Sequence, residues 1–214
     1  MRRREKAAKI VQILEELYPE VPIPLDHGDP FTLLVAVMLS AQTTDKKVNQ
    51  VTPALFAAAR TPEAMAALPV ETIQTFIREI GLAPTKAKNL RRLSQQLVDE
   101  HEGIVPATMS QLLKLPGVGR KTANVVLSQA LEIPGFPVDR HVIRVVNRLG
   151  LVCSKDPVVI ETELCAMLPP SCWANASSTL IAHGRRICKP RPICSKCSIR
   201  NKCPWMRESG ESLA

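Results

Sequence analysis

The amino-acid sequence predicts an all-α fold. Three observations carry that expectation: apolar residues recur at helical spacing along most of the 214 residues, strand-like alternation is nearly absent, and eighteen prolines break the chain into short segments. With 45% apolar and 22% charged residues, the chain has the material for a buried core.

Ile10, Ile13, Leu14 and Leu17 fall on one face of a first helix over 4–17. Pro30 stands where a helix begins, and the apolar run from Phe31 to Leu39 makes a second over 31–40. A third is expected over 45–58, with Pro53 read as a further start signal, and a fourth over 70–79, before Gly81. Pro84 opens a helix over 85–100 whose face is Leu90, Leu93 and Leu97, and Gly103 marks its end. A short helix over 109–114 follows Pro106, and another over 120–131 carries the apolar stretch Val125 to Leu131. Val142, Val145, Val146 and Leu149 define a helix over 140–149 that Gly150 stops, Pro157 begins one over 156–167, and the last spans 173–187. Pro62 is also a start signal, with no helix assigned after it. The sharpest break in composition is Ile133 to Val138, which holds Pro134, Gly135 and Pro137 and reads as an interdomain crossing.

Twenty-eight Lys and Arg against twenty Asp and Glu leave a net charge of +8, which favours a polyanionic partner such as nucleic acid. Seven of these cations lie between Arg185 and Lys202 with no acid among them, and a second basic cluster is Lys86, Lys88, Arg91 and Arg92. Two Trp, one Tyr and four Phe are too few for the stacking platforms that hold single strands. No apolar run approaches the roughly eighteen residues of a membrane span.

Of seven cysteines none precedes Cys153, and Cys188, Cys194, Cys197 and Cys203 form a C-x5-C-x2-C-x5-C pattern. The odd count, the long cysteine-free stretch and an N-terminus without an apolar h-region point to a reducing compartment and no cleaved targeting peptide. Four thiolates this close indicate a metal centre. Zinc and iron–sulfur both remain open on spacing; the single close pair, Cys194 and Cys197, favours iron–sulfur. Cys153, Cys165 and Cys172 read as small core residues.

Leu115-Pro116-Gly117-Val118-Gly119-Arg120-Lys121-Thr122-Ala123 joins two helices by a tight hairpin. Pro116 cannot continue the first helix, and Gly117 and Gly119 allow close backbone approach, so the outward amides make a phosphate site at a helix N-terminus. Lys121 sits in the first turn of the second helix, where the dipole and Arg120 would lower its pKa and make it nucleophilic; the competing reading is a lysine that contacts phosphate. Asp139 is placed as an N-cap, and its carboxylate could also move protons.

These residues resemble the endonuclease III family, helix-hairpin-helix DNA glycosylases with a terminal iron–sulfur loop. The match runs from about Phe31 to Pro204 and rests on Ser40-Ala41-Gln42-Thr43-Thr44-Asp45, the hairpin through Asn124, Val138-Asp139-Arg140-His141-Val142, and the four cysteines after His183-Gly184-Arg185. The resemblance implies an all-α, two-lobed fold, with a six-helix domain containing the hairpin over 22–133 and a helical cluster domain made of 1–21 and 134–214. It implies a bifunctional DNA glycosylase/AP lyase of base excision repair that acts on damaged double-stranded DNA. The expected enzyme is a monomer in the bacterial cytoplasm, associated with the nucleoid, with oxidised pyrimidines and abasic sites as substrates.

In this family the lysine matching Lys121 attacks C1′ and forms a Schiff base through which the strand is cut by β-elimination, and the aspartate matching Asp139 assists. The residues matching Gln42 and Leu82 fill the gap left by the flipped nucleotide. Gly117, Val118, Gly119 and Arg120 would hold the DNA backbone, with His141, Arg144, Lys189, Arg191 and Lys196 as further DNA contacts. Cys188, Cys194, Cys197 and Cys203 would ligate a [4Fe–4S] cluster that is not the catalyst.

Three positions depart from the family pattern. Five residues separate Cys188 from Cys194 where six are usual, Arg140 stands where a small polar residue is usual, and Ala83 where an aromatic is frequent. Arg140 keeps open monofunctional excision of mismatched thymine or uracil. Lys121, and an end at Ala214 where adenine-excising relatives continue, disfavour adenine excision. Classes outside this one are a non-catalytic protein that binds lesions and a zinc-dependent nucleic-acid module.

Overall fold

A computed structural model describes residues 2–19 and 21–208, and no strand occurs among them. The chain divides into two compact units, a discontinuous one of Met1–Pro22 with Pro134–Ala214 and a continuous one of Ile23–Ile133. Helix α1 (Arg3–Leu17) belongs to the discontinuous unit. The continuous unit follows with α2 (Pro30–Leu39), α3 (Asp45–Ala58), α4 (Pro62–Ala67), α5 (Val70–Phe76), α6 (Ala83–His101), α7 (Met109–Leu112) and α8 (Arg120–Ala130). The discontinuous unit resumes with α9 (Arg140–Arg148), α10 (Pro157–Met167), α11 (Trp173–Arg186) and α12 (Pro204–Glu208).

In the continuous unit α2 is apolar on every side. Phe31 to Leu39 are all buried, so the helix has to be surrounded, and α3, α6 and α8 pack against it. Its start is fixed locally: Asp29 accepts from the Thr32 amide at 2.8 Å and Pro30 presets the first turn. Thr44, Thr61 and Thr108 cap α3, α4 and α7 in the same way, each cap contributing about 1 kcal/mol. On α6, Ala83, Ala87, Leu90, Leu93 and Leu97 make the buried stripe, and α4 and α5 lie on this helix. Gly103, at φ +74°, lets its amide reach the Leu97 carbonyl at 2.9 Å and close α6.

The discontinuous unit has its own core. Ala7, Ile10, Val11 and Leu14 of α1 meet α10 and α11, and α9 packs Val142, Val145 and Val146 toward α11. Gly184 makes the α9–α11 approach possible: a Cβ there would stand 2.8 Å from His141 Cβ.

The structure departs from the sequence expectations at several points. Helix α4 was not expected, because six residues are too few to display a helical period; Thr61 and Pro62 specify it by capping. The fourth expected helix, 70–79, ends at Phe76, and α12 was not expected. Pro53 lies inside α3 and does not start a helix. Cys153 is exposed and is not a core residue, while Cys165 and Cys172 are half-buried and pack against the core of the discontinuous unit. Lys86, read as part of a surface cluster, is 6% exposed. Among the described residues no helix is long and apolar enough to cross a membrane.

Candidate functional site

The hairpin between α7 and α8 is held by its two apolar residues. Leu115 and Val118 are buried and the Val118 amide donates to the Leu115 carbonyl at 3.1 Å. Val118 can therefore offer a ligand only its backbone. Gly117 has φ +81°, and a Cβ there would stand 3.1 Å from Met38 Sδ and 3.2 Å from Asn89 Cβ, so both conformation and packing require glycine. Gly119, the N-cap of α8, is different. A Cβ there would meet nothing within 4 Å, which leaves the start of α8 open to an external group. Arg120 and Lys121 form the first turn of α8; Lys121 is exposed, and no side-chain hydrogen bond or ion pair engages its amine among the described residues.

Gln42 and Leu82 lie in the same unit, and both have left-handed backbone, at φ +57° and +61°. That conformation costs an L side chain on the order of 1–3 kcal/mol, and an N-cap such as Leu82 normally has extended backbone. Both side chains are exposed, Leu82 to 57%. Beside them Lys86 places its amine 2.8 Å from the Leu39 carbonyl, 2.6 Å from the Ala41 carbonyl and 3.3 Å from Thr43 Oγ1. Burial pushes the Lys86 pKa down, and no acid faces it among the described residues. Sequence reasoning missed this contact: a Lys in a basic run gives no sign of which way its side chain turns.

In the discontinuous unit Asp139 caps α9. Its Oδ1 accepts from the His141 amide at 2.7 Å and the Val142 amide at 2.9 Å, leaving Oδ2 unengaged among the described residues. Arg140 is exposed next to it. Burial lowers the His141 pKa against the opposing charge of Asp139, and Arg144, Arg140 and Arg185 add to the lowering.

Arg144 is committed within the protein. Nε donates to the Cys188 carbonyl at 2.8 Å, and Nη2 donates to the Gly184 carbonyl at 2.9 Å and lies 3.1 Å from His141 Nδ1. Lys189, Arg191 and Lys196 are exposed.

Cys188, Cys194, Cys197 and Cys203 line one pocket with Arg148, His183, Ile199 and Trp205. Burial raises the Cys197 pKa, and the nearby Cys188 and Cys203 raise it further. Arg148 was not anticipated. It donates to the Lys189 carbonyl at 2.6 Å, the Pro190 carbonyl at 2.9 Å and Cys188 Sγ at 3.4 Å, and its guanidinium lies 4.3 Å from the centre of the Trp205 ring. His183, its pKa pushed down to about 4 by burial, sets Nε2 3.7 Å from Cys197 Sγ. Among the described residues, no group of three or more His, Cys, Asp or Glu is gathered closely enough to hold one metal ion. The four thiols nevertheless line one and the same pocket.

Residues 35–170 match the family of HhH-GPD superfamily base excision DNA repair proteins. The endonuclease III of Synechocystis sp. is 44% identical over 209 residues, 97% of this chain and 95% of the relative. A solved structure of a trapped endonuclease III–DNA covalent intermediate superposes with a TM-score of 0.92 at 39% identity, covering 98% of this chain and 99% of that one. A thermostable thymine-DNA glycosylase superposes with a TM-score of 0.86 at 25% identity, over 95% and 98% of the two chains. This chain belongs to the endonuclease III family.

Proposed function

We propose that Lys121 and Asp139 carry the chemistry of this chain, which as an endonuclease III is a bifunctional DNA glycosylase/AP lyase of base excision repair. The observation that carries the assignment of Lys121 is its exposed amine, unengaged among the described residues, in the first turn of α8, two residues after the open Gly119.

The duplex backbone docks on the hairpin, where a phosphate oxygen meets the amides and dipole at the start of α8. The damaged nucleotide leaves the stack, and Gln42 and Leu82 occupy the space it vacates. Lys121, as the free amine, forms a bond from Nζ to C1′ while the bond from C1′ to the base breaks and the base leaves with the pair of electrons. The proton lost from Nζ passes to water, and Asp139, oriented by its N-cap bonds through Oδ1, leaves Oδ2 to assist proton transfer. The C1′–O4′ bond breaks as O4′ takes a proton from water, giving the protonated imine; a proton then leaves C2′ to water and the C3′–O bond breaks, expelling the 3′ phosphate. Water then hydrolyses the imine and regenerates the lysine.

The proposed lesions are oxidised pyrimidines and abasic sites, with the enzyme acting as a monomer in the bacterial cytoplasm. Lys189, Arg191 and Lys196 supply exposed charge for the phosphates, while Arg144 supports the fold of the cysteine loop. His141 adds its ring beside Asp139. The four cysteines, gathered in one pocket, fit a [4Fe–4S] cluster. When bound, that cluster ties Cys188, Cys194, Cys197 and Cys203 together, and its role is structural.

Borohydride reduction in the presence of a duplex with an abasic site tests the assignment. The wild-type protein is expected to give a covalent adduct and Lys121→Ala none, with DNA affinity retained within about ten-fold because the amine acts mainly in the transition state. A DNA-binding wild type that gives no adduct would falsify the lyase reading and favour monofunctional excision or simple lesion binding.

A further inference from the structure

We propose that Lys86 is a positioning residue that holds Gln42 and Leu82 as one rigid element for insertion into DNA. The inference rests on the reading of those two residues as the ones that fill the vacated space. Three facts of geometry support it.

The first is where the amine spends its donors. Its three acceptors are the carbonyl of Leu39, the last residue of α2, and, in the turn that follows, the carbonyl of Ala41 and the hydroxyl of Thr43, which flank Gln42 directly. The second is the start of α6. The Lys86 amide donates to the Leu82 carbonyl at 3.0 Å, so one residue grips the Gln42 turn with its side chain and the Leu82 peptide with its backbone. The third is contact between the two segments: a Cβ on Gly81 would lie 3.6 Å from the Gln42 carbonyl oxygen.

The choice of a lysine needs an explanation beyond stability. It is 6% exposed and faces no acid among the described residues, and an apolar side chain of similar length would avoid burying a charge. What the charge contributes is hold. The last turn of α2 contains no basic residue of its own, and its carbonyls face outward at the negative end of the helix dipole. Lys86 supplies that cation from α6 and fixes the direction in which the chain leaves α2. The strained backbone of Gln42 and Leu82 needs a constraint from outside their own side chains, because both side chains are exposed.

The test compares two substrates that differ in their need for insertion. A duplex with an oxidised pyrimidine leaves a space to be filled, whereas a single-stranded oligonucleotide with an abasic site has no stack to invade. With Lys86→Met, single-turnover cleavage of the duplex is expected to fall between about ten- and a hundred-fold, as a displacement near 1 Å would produce. Trapping on the single strand should stay within about two-fold of wild type, because Lys121 is untouched. Adding Gln42→Ala to Lys86→Met should cost little more than the worse single change, since both act through one side chain. Thr43→Val removes one acceptor and should show a smaller loss, about three-fold, also confined to the duplex.

Equal losses on both substrates would assign Lys86 a general structural role and overturn the proposal. So would an unchanged duplex rate, or losses that multiply in the double variant. If Lys86→Met does not fold, Thr43→Val carries the comparison, and absence of a duplex-specific loss overturns the proposal. A wild type that traps neither substrate would instead overturn the lyase assignment, so the two failures are distinguishable.

Discussion

Arg144 Nε donates to the carbonyl of Cys188 at 2.8 Å, joining the helix that Asp139 caps to the first residue of the cysteine loop. Through this contact and the companion bond to Gly184, the region that presents the carboxylate and the region that would hold the cluster share one support.

Replacing Arg144 with Met should therefore weaken both. Each carbonyl left unpaired costs about 1–3 kcal/mol, and each kcal/mol lowers the melting temperature by roughly 2–4 °C in a chain of this size. Thermal melts and iron retention during dialysis would check this. A variant that melts with wild type and keeps its iron would contradict it.

Gly184→Ala attacks the same support from the other side. Its methyl group would stand 2.8 Å from His141 Cβ and 3.2 Å from Val145 Cγ2, so α9 and α11 must separate. The expected destabilisation is about 1–3 kcal/mol. Denaturant titration measures it directly, and the midpoint should move without a change in slope.

The two hairpin glycines should separate stability from binding. Gly117→Ala meets a positive φ and three atoms at 3.1–3.2 Å, and should lower stability by about 1–3 kcal/mol. Gly119→Ala meets no atom within 4 Å and should cost less than about 1 kcal/mol in the fold. Its methyl group lies where a phosphate is proposed to approach, so DNA affinity should fall at unchanged melting temperature. Filter binding and thermal melts on the same preparations decide whether the effects divide this way.

Loss of the proposed cluster should have an optical signature. Trp205 lines the cysteine pocket and lies against Arg148, so an absorbing iron–sulfur cluster bound there would quench its emission. Oxidising and chelating the iron should raise tryptophan fluorescence, and Trp205→Phe should remove most of that rise. Elemental analysis should find iron with matching sulfide and not one zinc per chain.

Much of the fold was legible in the sequence because its cues are local. Pro30 and Pro157 open α2 and α10, and Gly103 and Gly150, both at positive φ, follow the ends of α6 and α9. Pro53 shows where such cues fail: a proline can sit in a helix interior when the surrounding packing outweighs the lost hydrogen bond. Within the candidate site, the hairpin glycines and the cysteine spacing could be read directly. Gln42 and Leu82 entered only through the family resemblance, and their left-handed backbone could not be read, since nothing about a glutamine or an exposed leucine announces it.

By itself, then, the sequence determined the helical class, the hairpin, the cysteine cluster and the cap at Asp139. Periodicity, capping and turn chemistry act over a few residues, so a short window contains their cause. Tertiary structure alone decided that the Lys86 amine meets carbonyls 47 and 45 residues away, and that Arg148 reaches across 41 residues to the Lys189 carbonyl. Those partners are selected when buried faces pack and bring distant carbonyls within reach, and an apolar stripe specifies that a face is buried without specifying what lies against it.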